Sequence, residues 1–249
     1  RLIERAVYRN SAAVSVLTPQ LKAYVASYGV PESRIQVQPA GVDTELFSCG
    51  ERNDALLAQW GIGPASPVLL FMGTIYKFSG LDSVIRGFPA LLLKHPDARL
   101  LVVGGGEDDS RLRRLAQDQG VADQVIFTGV LAYDLLPDII RSSTICLNPF
   151  QLNDITRDIL PTKLFQYLAC GKPLVATPLP GTAPFLSGEA HGVVYAELPE
   201  FMSAVTELLE APDRLEQLGL RARRAMEADY DWRKIAENLA TWMRDVVLV

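Results

Sequence analysis

The chain has 249 residues, 49% of them hydrophobic and 21% charged, with a formal net charge of −5. That is a globular composition, long enough for one large core or two small ones. The negative balance and the lack of any long basic run argue against a nucleic-acid partner.

In chain order, Ala12 to Leu17 reads as a strand and Pro19 to Ser27 as a helix, stopped by Tyr28-Gly29-Val30-Pro31. Arg34 to Gln38 alternates, Pro39 to Asp43 is a turn-rich crossing, and Asp54 to Trp60 is a short amphipathic helix ending at Gly61. Then the period changes. Val68 to Gly73 is a fully apolar strand, Leu81 to Leu93 a helix, Arg99 to Gly104 a strand and Ser110 to Gln119 a helix. The alternation continues through Gln124 to Phe127, Leu135 to Arg141, Thr144 to Leu147, Pro161 to Cys170, Leu174 to Ala176 and Gly192 to Tyr195. Strands alternating with helices imply parallel pairing, so the expected fold is α/β: a doubly wound, Rossmann-like, six-stranded sheet from about residue 50 to about residue 210. Glu200 to Glu210, Asp213 to Ala228 and Trp232 to Val246 read as closing helices, the last with Asp231 as its N-cap. Residues 1 to 38 do not fit this sheet and read as one strand–helix unit left over from a preceding domain.

Cys49, Cys146 and Cys170 are odd in number and show no paired spacing, which points to reduced thiols in a cytoplasmic protein, with Cys146 and Cys170 in the core. No apolar run approaches the roughly 20 residues that span a bilayer, and no signal peptide is visible. The first residue is Arg, so the chain is expected to be processed, trimmed or incomplete at its N-terminus. The cluster Arg221, Arg223 and Arg224 reads as a solvated helix face, and His95 and His191 as structural residues. Nothing calls for a metal or a redox cofactor, and the glycine fingerprint of a dinucleotide-binding oxidoreductase is missing.

In an open parallel sheet, ligands bind beyond the carboxyl ends of the strands. Four loops leave such ends here. The first is Gly73-Thr74-Ile75-Tyr76-Lys77-Phe78-Ser79-Gly80, whose backbone amides at the next helix start are able to receive anionic oxygens. The second, Gly104-Gly105-Gly106, permits close approach of backbone to a ligand, and the acids Glu107, Asp108 and Asp109 after it suit a helix start better than a metal. The third, Thr128-Gly129-Val130-Leu131, is by itself a plain strand end. The fourth runs through Asp158 into Leu160-Pro161-Thr162-Lys163-Leu164-Phe165-Gln166-Tyr167-Leu168-Ala169-Cys170-Gly171-Lys172-Pro173-Leu174-Val175-Ala176-Thr177. Pro161 suits a first helical turn, Gly171 a left-handed helix end, and Pro173 blocks continuation. Asp158 alone reads as a helix N-terminal acid, and Lys163 as an exposed helix residue close enough to neutralise phosphate.

This fourth segment resembles the donor motif of retaining GT-B glycosyltransferases, in which two glutamates with seven residues between them stand before a phrase like Ala-Cys-Gly-Lys-Pro-Val-Val-Ala-Thr. Asp158 holds the place of the first glutamate and Gln166 that of the second. The phrase Ala40-Gly41-Val42-Asp43 with Phe47 following resembles the family's interdomain linker. The resemblance covers essentially the whole chain. It implies that residues 1–38 end an N-terminal acceptor-binding domain, 39–50 form a linker, 51–228 bind a nucleotide sugar, and 229–249 form a helix that crosses back toward the N-terminal domain. It implies a sugar moved, with retention, from a nucleoside diphosphate to an acceptor hydroxyl on a glycan, a lipid or a small molecule. No cofactor beyond the donor is implied, and the location is cytoplasmic or at the membrane periphery.

By the same resemblance Asp158 would accept hydrogen bonds from donor-sugar hydroxyls as the catalytic acid position, and Gln166 would grip the ribose. The amides of Ile159, Leu160 and Thr162 would point at sugar and phosphate, beside Lys163. Val130 and Leu131 would lie against the nucleobase, and Gly104 and Gly105 beside the donor. In the first loop the family places Arg where Thr74 stands and Lys where Ser79 stands, leaving Lys77 and the amides near Ser79 and Gly80 to meet the diphosphate. Those departures keep open a second reading, a non-catalytic binding or partner subunit.

Overall fold

A computed structural model describes residues 2–247. Helix α1 spans Leu2–Asn10, strand β1 Val14–Val16, helix α2 Pro19–Ala26 and strand β2 Ile35–Val37. β1 and β2 pair in parallel and with no other strand, around a small cluster of Val25, Val30 and Ile35. This segment is therefore more than one strand–helix unit. α1 escaped the sequence reading because it buries none of its residues, so no apolar face had to be patterned toward the core.

The chain then passes through the short helix α3 (Asp54–Ala58) into the main sheet. Its strands are β3 (Val68–Met72), β4 (Arg99–Val103), β5 (Val125–Gly129), β6 (Ile145–Asn148), β7 (Leu174–Ala176) and β8 (Val193–Tyr195). All pair in parallel, in the order β5-β4-β3-β6-β7-β8. Counted from β3, that is the doubly wound 3-2-1-4-5-6 order, and the strand starts fall on the expected residues or one beyond.

The connecting helices are α4 (Leu81–Leu92), α5 (Asp109–Asp118), α6 (Leu136–Arg141) and α7 (Thr162–Ala169), followed by α8 (Phe201–Leu209), α9 (Pro212–Asp229) and α10 (Trp232–Val247). Alternate residues of β3 face opposite layers, as strand geometry requires. Val68, Leu70 and Met72 pack with residues of α6, α7 and α9, while Leu69 and Phe71 pack with residues of α4, α5 and α8. Both faces are covered, which is why β3, β6 and β7 read as unbroken apolar runs. At about 1.5–3 kcal/mol per buried large side chain, these two layers are the main stabilising element.

Two expectations shift in detail. Pro161 is the N-cap of α7, with ψ 121°, and not its first helical residue; the extended conformation fits a residue preceding the helix. Arg223 does not belong to a solvated face. Its guanidinium donates to the carbonyls of Thr44, Phe47 and Ala169 and pairs with Glu227, whereas Arg221 and Arg224 are exposed. Gly171 does take the left-handed conformation, φ +69°, and Asp231 Oδ1 accepts the amide of Arg233 at the start of α10.

Candidate functional site

The sheet reverses its winding between β3 and β6, and in open parallel sheets ligands bind beyond the strand ends near such a reversal. A cavity of about 250 Å³ lies at this end, lined by Thr74 after β3, Gly104 and Gly105 after β4, and Val130 and Leu131 after β5. Five residues expected from three separate loops thus share one wall. Val130 is 84% exposed and offers an apolar surface that the described residues leave largely uncovered.

The loops are built by close backbone contact. A Cβ on Gly104, at φ +126°, would stand 2.1 Å from the carbonyl oxygen of Gly73, and one on Gly80, at φ +69°, 1.7 Å from that of Pro149. Both positions need glycine to let the loops meet. Gly105 differs: a Cβ there would meet nothing within 4 Å, so the fold itself does not demand glycine. Its place on the cavity wall leaves room for a group from outside the chain.

Within the first loop, Thr74 and Lys77 are exposed. Ser79 is not available. Its side chain is fully buried, its hydroxyl accepts the amide of Tyr76 at 2.9 Å and donates toward the carbonyl of Thr74 at 3.4 Å. The expected donor-binding role of Ser79 is therefore replaced by a turn-closing one.

The fourth loop is held from behind. Gly181 donates to the carbonyl of Arg157 at 2.8 Å and packs on the backbone of Asp158, and the Thr182 hydroxyl donates to the carbonyl of Ile159 at 3.0 Å. These contacts leave the Asp158 carboxylate exposed and without a hydrogen bond among the described residues. The amides of Leu160 and Thr162 donate to no described residue, while that of Ile159 turns toward the carbonyl of Thr156 at 3.5 Å and is less free than expected. Gln166 lies one turn beyond Lys163 on the same helix face, half-buried.

Lys163 is not an exposed helix residue. It is half-buried, with Nζ 3.9 Å from the centre of the Phe71 ring and 4.4 Å from that of Phe150. Removal from water lowers its pKa to about 7. It makes no ion pair among the described residues, and a Cβ on Gly73 would stand 3.9 Å from its Nζ.

Two residues were missed by reading the sequence. Tyr167 is fully buried, and its phenol accepts the amide of Met72 at 2.7 Å, fastening α7 to the last residue of β3. Asn148 ends β6 with its Oδ1 buried and without a partner. A lone polar residue closing the apolar run of β6 was the available signal for Asn148; a tyrosine amid apolar helix positions gave none for Tyr167. No group of three or more candidate metal ligands occurs among the described residues. Asp108 and Asp109, instead, pair with Arg111 and Arg113 at the start of α5.

A larger cleft, about 620 Å³, opens at the opposite end of the strands. Size does not make it the site: its Arg52, Arg141 and Arg223 are each bound to backbone carbonyls within the chain.

The family model described as Glycosyl transferases group 1 matches residues 66–211, more than half of the chain and the whole of the loops just described. The chain belongs to this family. Among curated relatives of this glycosyl transferase group, it is 30% identical over 207 residues to the GDP-mannose-dependent monoacylated alpha-(1-6)-phosphatidylinositol monomannoside mannosyltransferase of Corynebacterium glutamicum, covering 81% of this chain and 54% of the relative. It is 28% identical over 242 residues to the GDP-mannose-dependent alpha-(1-6)-phosphatidylinositol monomannoside mannosyltransferase of Mycolicibacterium smegmatis, covering 95% and 63%. Among solved structures, the Anabaena protein Alr3699/HepE in complex with UDP and glucose superposes with a TM-score of 0.81 at 16% identity, over 98% of this chain and 66% of that one. That likeness is one of fold, the GT-B architecture. The chain spans about 54–63% of the length of these two curated relatives.

Proposed function

We propose that this chain is the donor-binding half of a glycosyltransferase that moves a sugar from a nucleoside-diphosphate sugar to an acceptor hydroxyl with retention. The observation that carries the reading is the single cavity lined by the ends of β3, β4 and β5 beside Lys163. In this reading the base lies against Val130 and Leu131, the ribose meets Gln166, and the diphosphate meets Thr74, Lys77, Gly80 and the free amides of Leu160 and Thr162. Asp158 faces the sugar hydroxyls. The departing diphosphate gathers charge as the glycosidic bond breaks, and donors fixed around it lower that barrier. Residues 1–38 would end the acceptor-binding domain, 39–50 the linker, 51–228 the donor domain and 229–249 the returning helix, with the acceptor held mostly by an N-terminal domain. The phosphatidylinositol-linked acceptors in the relatives' names support a lipid acceptor and a peripheral place at the cytoplasmic membrane surface. No helix among the described residues is long and apolar enough to cross a membrane.

The test is a melting-temperature and calorimetric panel with GDP, UDP and ADP and their sugars, since binding to the native state raises its stability. Gln166→Ala is expected to weaken binding by about 0.5–3 kcal/mol, the worth of one or two hydrogen bonds. Thr74→Arg is expected to strengthen it, because an exposed neutral group becomes a charged donor. A lysine at 79 has no such prospect, because Ser79 is buried in the turn. A folded Thr74→Arg variant with unchanged affinity would turn the reading toward a non-catalytic partner subunit.

A further inference from the structure

We propose that Lys163 is the principal cation for the diphosphate in this cleft and that binding of the diphosphate is coupled to uptake of a proton by its amine. The inference rests on the donor-site reading above. Its own ground is geometric. The Nζ of Lys163 sits between the faces of Phe71 and Phe150, at 3.9 and 4.4 Å, in the first turn of α7. The ring of Phe71 is fully buried and that of Phe150 nearly so, and the amine reaches toward Gly73, at the mouth of β3. Ring faces attract an ammonium, but they do not replace the three hydrogen bonds it makes in water.

No carboxylate among the described residues pairs with the amine. β3 carries no titratable side chain, and β6 carries only Cys146, whose thiol burial pushes up to about 12. On α7 itself Tyr167 is the other titratable group, and burial raises it well above 10.0. In the loop after β6, Asp154, Arg157 and Asp158 are exposed; in the loop after β3, Tyr76 and Lys77 are exposed too. Beyond β4, Asp108 and Asp109 are paired with arginines, and Glu107 is exposed. Its setting between the rings, away from water, accordingly lowers the amine's pKa from the ordinary 10.5 to about 7. A diphosphate entering the cleft provides the counter-charge the chain withholds. With Thr74 neutral and Ser79 buried, Lys163 is the cation at the strand ends whose charge the ligand would change most.

The probes are GDP-mannose and UDP-glucose. Their diphosphates are esterified at both ends and titrate no proton near neutrality, so any proton taken up belongs to the protein. Calorimetry of the full chain in buffers of different ionisation enthalpy is expected to give uptake of about half a proton per ligand at pH 7, with affinity falling up to about tenfold per pH unit above it. Lys163→Met is expected to bind roughly 10- to 100-fold more weakly, as loss of a charged hydrogen bond implies, and with no proton uptake. Its melting temperature is expected to equal or exceed that of the unaltered chain, because an amine held between two rings and short of hydrogen bonds is replaced by an apolar chain of similar shape. Equal affinity and equal proton uptake in the methionine variant would overturn this inference and leave the donor site standing. If the variant does not fold, the unaltered chain decides: ligand binding without proton uptake overturns the inference. Binding of neither probe by the unaltered chain would overturn the donor reading, and this inference with it.

Discussion

Tyr167 and Lys163 stand four residues apart on α7, and both reach the end of β3. The first is fastened there: the Met72 amide lies on the last strand residue, buried, and the phenol is its partner at 2.7 Å. Tyr167→Phe keeps the ring and strips that partner. Loss of about 1–3 kcal/mol is expected in chemical unfolding, since a buried donor left unmatched costs its desolvation. The change should also loosen the mouth of the cleft. Lys163 makes a different demand. Unfolded, a lysine holds its proton up to 10.5; native, this one releases it near 7. Between those values the unfolded chain binds more protons, so stability rises with pH across this window and the contribution is lost as pH falls through 7. Urea melts from pH 6 to pH 9, on the unaltered chain and on Lys163→Met, isolate it: the variant is expected to show the smaller rise.

At the scale of elements, the helices of the C-terminal half are tied to the linker more firmly than a hinge-like sequence would lead one to expect. Val42 donates to the carbonyl of Tyr230 at 2.9 Å, and Trp232 donates back to that of Val42 at 3.1 Å. Gly41 allows this approach, for a Cβ there would stand 2.7 Å from Ile235 Cδ1. Arg223 on α9 adds three carbonyl bonds, two to the linker and one to the end of α7. Arg223→Met is expected to cost at least about 1.5 kcal/mol, because charged donors leave and three carbonyls lose their partner. Protease digestion after that change should cut first between residues 43 and 48. Undiminished stability would show that the linker is held by its other contacts.

At the scale of the molecule, two sheets share one chain. The pair β1–β2 has its own cluster, apart from the two layers of the main sheet. Removal of residues 1–38 is therefore expected to leave a single cooperative unfolding transition, with the melting temperature changed by a few degrees. Loss of cooperative melting would mean that the N-terminal segment is part of the main fold. The same division bears on the proposed activity: the chain spans 54–63% of the length of these two curated relatives, and as a donor-binding half it would supply one side of the site. Under that proposal, turnover is expected only when an N-terminal acceptor-binding domain is supplied.

The apolar runs Val68–Met72 and Leu100–Val103, each closed by glycine, were enough to specify buried parallel strands, because a strand covered on both faces has no polar side to alternate. The run from Pro161 to Thr177 likewise specified a helix, its left-handed stop and the next strand, and with Asp158 and Gln166 it pointed to the family. These are local statements, and local chemistry decides them. Side-chain environment was out of reach. Lys163 and Ser79 look like surface residues in sequence, yet one lies between two aromatic rings and the other inside a turn. Arg223 looks like its neighbours Arg221 and Arg224, yet it alone meets three carbonyls from segments 54 to 179 residues away. Helix α1 carries no buried residue and so left no core pattern to read. The sequence by itself determined the order and kind of elements in the sheet and the loops that leave the carboxyl ends of its strands. Only the tertiary structure decided which cations and hydroxyls in those loops are exposed and which are engaged within the fold, because that depends on contacts that the order of residues does not display.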